Sequence, residues 1–241
     1  MAVPPEALAQ LSRSVQPLVF ETGIDEFPYM TLGTVFLVGF EGRAFVLTTR
    51  YSLNPENLGP ICVFPSDSSR RVLPLKDVFF VSRNIVSEDF VDLAVIEIDM
   101  AKITNAELGQ ASLIDLALAS GDWLSRSEVA EFIVLGYPEE HSFVDYDCET
   151  LSNGRVMLRA IYIRQSVLPY LHEIEVLNTD LLSTFNGFSG SPVFAWVQHD
   201  ASRPEIILCG MVIRGTATSS RIHFLDRSVL LDALKVKRAY G

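Results

Sequence analysis

The chain reads as an all-β protein closed by a C-terminal helix. Short runs rich in Val, Ile, Leu and Phe recur along most of its length. Gly, Pro, Asn and Asp punctuate those runs as turn signals. A clear helical spacing of apolar residues occurs only near the two ends. Many short strands at this spacing favour a barrel or a sandwich.

Residues 5–13 follow Pro4-Pro5 and predict a short helix. Strands are expected over 33–40, 43–49, 61–65, 78–81, 93–98, 132–135, 155–166, 173–177, 192–197 and 206–214, with Gly42 as a hairpin turn between the first two. A final helix is expected over 226–238, with Asp226 as its N-cap and Leu230, Leu231 and Leu234 on one face. The pattern changes over 101–130, where a segment polar at its ends can connect two halves, with a boundary near residue 120. No internal repeat of 20–50 residues and no low-complexity segment interrupts the chain.

Composition bounds the function classes. Of 241 residues, 49% are hydrophobic and 20% charged, enough for a substantial core. A formal charge of −11 argues against nucleic acid, whose binding needs clustered Lys and Arg, and against docking on an anionic membrane. The start, MAVPPEALAQ, lacks the basic and apolar regions of a secretory signal. No apolar stretch approaches the roughly 18 residues that span a bilayer. Cys62, Cys148 and Cys209 are odd in number and far apart, which is neither a disulfide framework nor a zinc pattern. Cys209 sits in an apolar run and is expected in the core. These features predict a cytoplasmic protein with no metal or organic cofactor.

The sharpest local signal is Asn186-Gly187-Phe188-Ser189-Gly190-Ser191-Pro192-Val193. Glycine before and after a serine lets the backbone turn tightly. The N–H groups of Gly187 and Ser189 can then face a developing oxyanion, with the Ser189 hydroxyl beside them as nucleophile. An ordinary Gly/Ser/Pro turn is the alternative. The octapeptide is not the G-x-S-x-G elbow of α/β-hydrolases, because position 191 is Ser.

These residues resemble the G-x-S-G-S/G-P motif around the nucleophile of trypsin-like serine proteases. Other landmarks of that family follow in the same order. Phe45-Val46-Leu47-Thr48-Thr49-Arg50-Tyr51 resembles the strand ending in T-A-A-H, and Asp92-Leu93-Ala94-Val95 resembles the motif opened by the triad aspartate. Gly33-Thr34-Val35-Phe36-Leu37, Leu135-Gly136-Tyr137-Pro138 and Gly210-Met211-Val212-Ile213-Arg214-Gly215 resemble further strands and a turn of the family. The resemblance spans roughly residues 30–235. It implies a double six-stranded antiparallel β-barrel, with an N-terminal barrel over 28–120 and a C-terminal barrel over 121–225, together forming one peptidase domain.

By the same resemblance, Ser189, Asp92 and residue 51 form the catalytic group, and Gly187 and Ser189 the oxyanion hole. Ser183, Ile213, Arg214 and Gly215 line the substrate cleft. Ser183 at the pocket floor implies a neutral pocket for apolar or aromatic side chains, and Gly215 implies an open mouth. Three departures stand out. Arg214 replaces an aromatic residue, Ile213 replaces a polar one, and Tyr51 replaces the histidine. Histidine can take the serine proton and return it to the leaving group. A tyrosine hydroxyl, with an ordinary pKa of about 10, is a poor acceptor at neutral pH.

Three functions remain open at this stage. The first is a catalytically impaired protease homologue that binds a peptide or protein in its cleft. The second is a working serine hydrolase with an unusual base, for which His141 is the candidate. The third is a non-catalytic scaffold that keeps the motifs as turns. His199 and His223 are expected at the surface or in loops. His172 precedes a strand, and Asp89 is a lesser alternative to Asp92.

Overall fold

A computed structural model describes residues 4–53, 60–66, 69, 71–81, 92–104, 111–116, 122–128, 130–146, 150–168, 170–197 and 205–240. The chain opens with α1 (Pro5–Arg13), where proline occupies the first turn and needs no N–H partner. Its apolar side, Ala7, Leu8 and Leu11, packs on the central core.

Seven strands follow: β1 (Val15–Glu21), β2 (Tyr29–Phe40), β3 (Arg43–Thr48), β4 (Ile61–Cys62), β5 (Leu75–Phe80), β6 (Ala94–Ile98) and β7 (Ile114–Asp115). They form one sheet in the order β4-β1-β2-β3-β6-β5, with β7 parallel to β2. The second half holds β8 (Glu131–Gly136), β9 (Ser142–Asp145), β10 (Thr150–Asn153), β11 (Val156–Gln165), β12 (Leu171–Val176), β13 (Pro192–Val197), β14 (Glu205–Thr216) and β15 (Arg221–Asp226). Six of these close a barrel in the order β11-β12-β15-β14-β13-β8, while β9 and β10 form a separate hairpin. Helix α2 (Arg227–Tyr240) leaves directly from β15.

The protein is thus mostly antiparallel β with a C-terminal helix, as expected. Its two halves are each built on a curved antiparallel sheet, as the expected double barrel requires. Among the described residues the first sheet stays open as a curled half-barrel, and only the second half closes. The first sheet also includes β1, upstream of residue 28. Pro17 interrupts that run and weakens its strand signal. The structure accommodates it at a register shift between Pro17 and Val19.

Alternation of side chains explains the three cores. In β2, Val35 and Leu37 point into the half-barrel with Val46 and Ile96. Phe36 and Val38 point the other way and meet Ile133, Leu135, Phe194 and Leu230 of the second half. A third cluster fills the closed barrel, with Phe132, Ile174, Phe188, Cys209 and Phe224 among its members. Cys209 is a core residue as expected, and burial pushes its thiol well above the ordinary range. Cys62 is also buried, and burial followed by the neighbouring Glu21 raises its thiol to about 11. None of the described helices is long and apolar enough to cross a membrane.

Polar ties cross the interface between the halves. Thr34 in β2 donates from Oγ1 to the Gly187 carbonyl (2.8 Å) and accepts the Tyr137 N–H (2.9 Å). Its own N–H donates to the Ser189 carbonyl at 3.2 Å, and its carbonyl accepts Thr48 Oγ1 at 2.9 Å. Arg155 Nη1 donates to the carbonyls of Ser12 and Val15 and to Tyr137 Oη. The buried Gly136-Tyr137 turn is therefore part of the joint between halves.

Candidate functional site

The turn carrying Ser189 is shaped by two glycines. Gly187 and Gly190 both have φ near +89°, a left-handed conformation open chiefly to glycine. There is also no room for a side chain. A Cβ at Gly190 would overlap the Thr34 carbonyl, and one at Gly187 would overlap the Tyr137 carbonyl. The turn is pinned to β14 by Gly190 N–H to Val212 O (2.9 Å) and Val212 N–H to Ser191 O (2.8 Å).

These constraints orient two peptide planes. Every described peptide is trans, so each C=O opposes the following N–H. The Asn186 carbonyl accepts the Glu139 N–H at 3.0 Å, which turns the Gly187 N–H away from that bond. The Phe188 carbonyl accepts the Ser191 N–H at 2.9 Å, which turns the Ser189 N–H away likewise. Among the described residues neither N–H has an acceptor. Phe188 itself is buried in the closed barrel and anchors the turn.

Tyr51 begins a 3-10 turn, Tyr51–Leu53, directly after β3. The Tyr51 main-chain N–H donates to Asp92 Oδ1 at 2.7 Å. Its side chain is 83% exposed. Asp92 stands just before β6. Burial raises its carboxyl above the ordinary range, although the backbone donors of Tyr51 and Arg50 and the Arg50 charge act the other way. Gly33 is a shared neighbour of both parts: Ser189 O and Ser52 Oγ lie 3.3 Å and 3.5 Å from where its Cβ would be. The start of β2 thus brings the Tyr51 turn, which holds Asp92, beside the Ser189 turn.

Ser189 Oγ donates to the Ile213 carbonyl at 3.4 Å, a long and weak bond. This is its one hydrogen bond to the described residues. His141 lies in the exposed turn Glu139–His141, and its carbonyl accepts the Gly154 N–H at 2.7 Å.

The residues expected around the cleft fall into two groups. Ile213, Arg214 and Gly215 lie consecutively on β14, beyond the point where β13 stops pairing with it. Ser183 is exposed, and both its N–H and its hydroxyl donate to the Glu140 carboxylate. The Ser183 hydroxyl leads the interactions that hold Glu140 below its ordinary range. A residue the sequence reading missed then matters. Phe185 is buried, and its Cδ2 lies 2.9 Å from where a Cβ on Gly215 would be. The space that Gly215 leaves is occupied by the protein's own ring. Phe185 carried a sequence signal only as an aromatic residue in a turn-rich stretch.

Of the two described strand histidines, His223 is at the outer face as expected, whereas His172 lies within a strand rather than before one. His223 lies within β15, half-buried, and its buried Nδ1 has no hydrogen-bond partner among the described residues. His172 is buried in β12 among Trp123, Tyr162 and Phe224, with Nδ1 3.0 Å from Tyr162 Oη and Nε2 3.5 Å from Asp226 Oδ2. It shares its strand face with Ile174 and Val176, a period-2 signal visible in the sequence. His199, Cys148 and Asp89 lie outside the described residues. Among the described residues no group of three His, Cys, Asp or Glu side chains could hold a metal ion. Neither protein-family models nor curated proteins match the chain.

Proposed function

We propose that the chain is a non-cleaving homologue of trypsin-like serine proteases that holds an extended peptide or protein segment between its two halves. One observation carries this reading. Where a base should face Ser189, Tyr51 offers only its main-chain N–H to Asp92, while its ring stands in solvent. Acyl transfer by a serine needs its proton removed as the C–O bond forms. The carbonyl of Ile213, the only group bonded to Ser189 Oγ among the described residues, is not a base of useful strength.

Two further features support binding without cleavage. The unpaired N–H groups of Gly187 and Ser189 suit a bound carbonyl oxygen. Residues 214–216 of β14 pair with β15 on one edge and with no described strand on the other, so that edge can accept an added strand. Phe185 against Gly215 limits what a bound side chain can insert there.

The test uses the full chain with a fluorophosphonate probe, beside Ser189→Ala. The expected result is no labelling of the wild type above the Ser189→Ala background. Rapid labelling of Ser189 overturns the reading, and labelling that also disappears in His141→Ala would assign His141 as the base.

A further inference from the structure

β14 carries a charged row across the outside of the closed barrel. Direct cross-strand partners share a sheet face. Arg214 on β14 is opposite His223 on β15, His223 is opposite Glu173 on β12, and Glu173 is opposite Arg164 on β11. Arg221 joins the row two residues from His223. Its Nη1 lies 3.0 Å from Glu173 Oε1 and its Nη2 lies 3.4 Å from Glu175 Oε2. Arg164 Nε lies 2.7 Å from Glu173 Oε2.

Glu173 is therefore already engaged by two guanidiniums, one on each carboxylate oxygen. Arg214 is the member left over. It is exposed, and among the described residues it has no ion-pair or hydrogen-bond partner. The neighbouring imidazole does not compensate it: burial, and then the Arg214 charge itself, holds His223 below its ordinary range. An unpaired cation beside the open edge of β14 is conspicuous on a chain with formal charge −11.

We propose that Arg214 selects an acidic residue in an extended peptide laid along the open edge of β14 beside Ser189. The inference rests on the peptide-holding function above and names its class of partner. Arg214 and Gly215 are adjacent and point to opposite faces of the strand. The Gly215 side is filled by Phe185, so a peptide side chain on the outer face meets Arg214 as its principal contact. A guanidinium can grip a carboxylate through two parallel hydrogen bonds, which a lysine cannot reproduce. Arg164 and Arg221 are already engaged and add only background positive potential.

The experiment measures binding of three biotinylated hexapeptide pools, each with one position scanned as Glu, Gln or Lys in an otherwise randomised neutral background. The proteins are the wild type, Arg214→Gln, Arg214→Lys and Arg214→Glu, each checked for an unchanged melting temperature. The wild type is expected to favour Glu over Gln by roughly three- to tenfold, as for a partly exposed charged pair. The preference should vanish in Arg214→Gln, weaken in Arg214→Lys and turn toward Lys in Arg214→Glu. Peptide binding with no Glu preference, or a preference unchanged in Arg214→Glu, overturns the role of Arg214 and leaves the peptide-holding function standing. No binding of any pool by any protein overturns both.

Discussion

Asp92 is held at the foot of β6 by a main-chain bond. Its carboxylate accepts the Tyr51 N–H, while the Tyr51 ring stands exposed. Burial raises its carboxyl, so ionisation is disfavoured in the folded protein relative to the unfolded chain, where the ordinary value is 3.8. For an acid with a raised folded pKa, the penalty is absent below the unfolded value and is fully present above the folded value. Asp92→Asn keeps an oxygen for the Tyr51 N–H and removes that penalty. It should match or exceed the wild type in thermal stability at pH 7, with the difference shrinking toward pH 3. Asp92→Ala loses the acceptor as well and should be destabilised by about 1 kcal/mol. A larger loss for Asp92→Asn at pH 7 than at pH 3 would mean that the charge itself is favoured in the fold. The sequence made Tyr51 stand out only through its resemblance to trypsin-like proteases, in which five other motifs in order frame a histidine at this place. The packing of Phe185 against Gly215 was not visible, since it depends on the path of the 177–190 segment rather than on spacing.

At the scale of elements, the junction of β15 and α2 depends on one carboxylate used twice. Asp226 Oδ1 accepts the Ser228 N–H at 2.7 Å, an N-cap on α2 as the sequence predicts. Its Oδ2 accepts Trp123 Nε1 at 3.2 Å and faces His172 Nε2 inside the barrel. Burial would raise this carboxyl, but the bonds from His172 and Ser228 outweigh it and hold Asp226 below the ordinary 3.8. The sign is therefore opposite to that of Asp92. Asp226 contributes stability fully present above pH 3.8 and lost as pH falls through its lower folded value. Asp226→Asn retains an N-capping side chain yet loses the charge facing His172. It should lower the melting temperature at pH 7, with the difference from the wild type shrinking as pH falls below 3.8. Asp226→Ala removes cap and barrel contacts together, at a cost of about 2 kcal/mol or more. A loss for Asp226→Asn that stays constant as pH falls below 3.8 would show that geometry, not charge, accounts for the junction. The sequence located α2 and its Asp226 cap because the helix has a stripe of leucines, but the strand expectations ended at residue 214 and missed β15, a short run that opens on Arg221 and carries His223. The hairpin of β9 and β10 escaped notice because each strand is a four-residue run of mixed polarity.

For the whole molecule, the question is what joins an open half-barrel to a closed one. Much of the joint is apolar, from Phe36 and Val38 through Leu135 and Phe194 to α2. Apolar burial alone leaves the relative placement of backbone turns underdetermined, because hydrophobic contact is not directional. Thr34 supplies direction. Its hydroxyl bonds Gly187 and Tyr137 of the second half, and its main chain bonds Ser189 and Thr48. Gly190 packs against its carbonyl too closely for any side chain. Thr34→Val keeps shape and volume but removes both hydroxyl bonds, taking from the Tyr137 N–H and the Gly187 carbonyl their buried partner. Each unsatisfied group costs about 1–3 kcal/mol, so a loss of roughly 2–5 kcal/mol is expected. Thr34→Ser retains the hydroxyl and should recover most of that loss, apart from the cost of one missing methyl. Denaturant unfolding gives the stability of both variants, and amide exchange at Tyr137 and Gly190 reports the joint itself. In Thr34→Val those amides should exchange faster than amides inside the closed barrel, such as Ile174, because the Ser189 turn loosens from β2 while the barrel core stays intact. A uniform acceleration at all three positions would mean that Thr34 stabilises the fold globally without locally fixing the turn that carries Ser189.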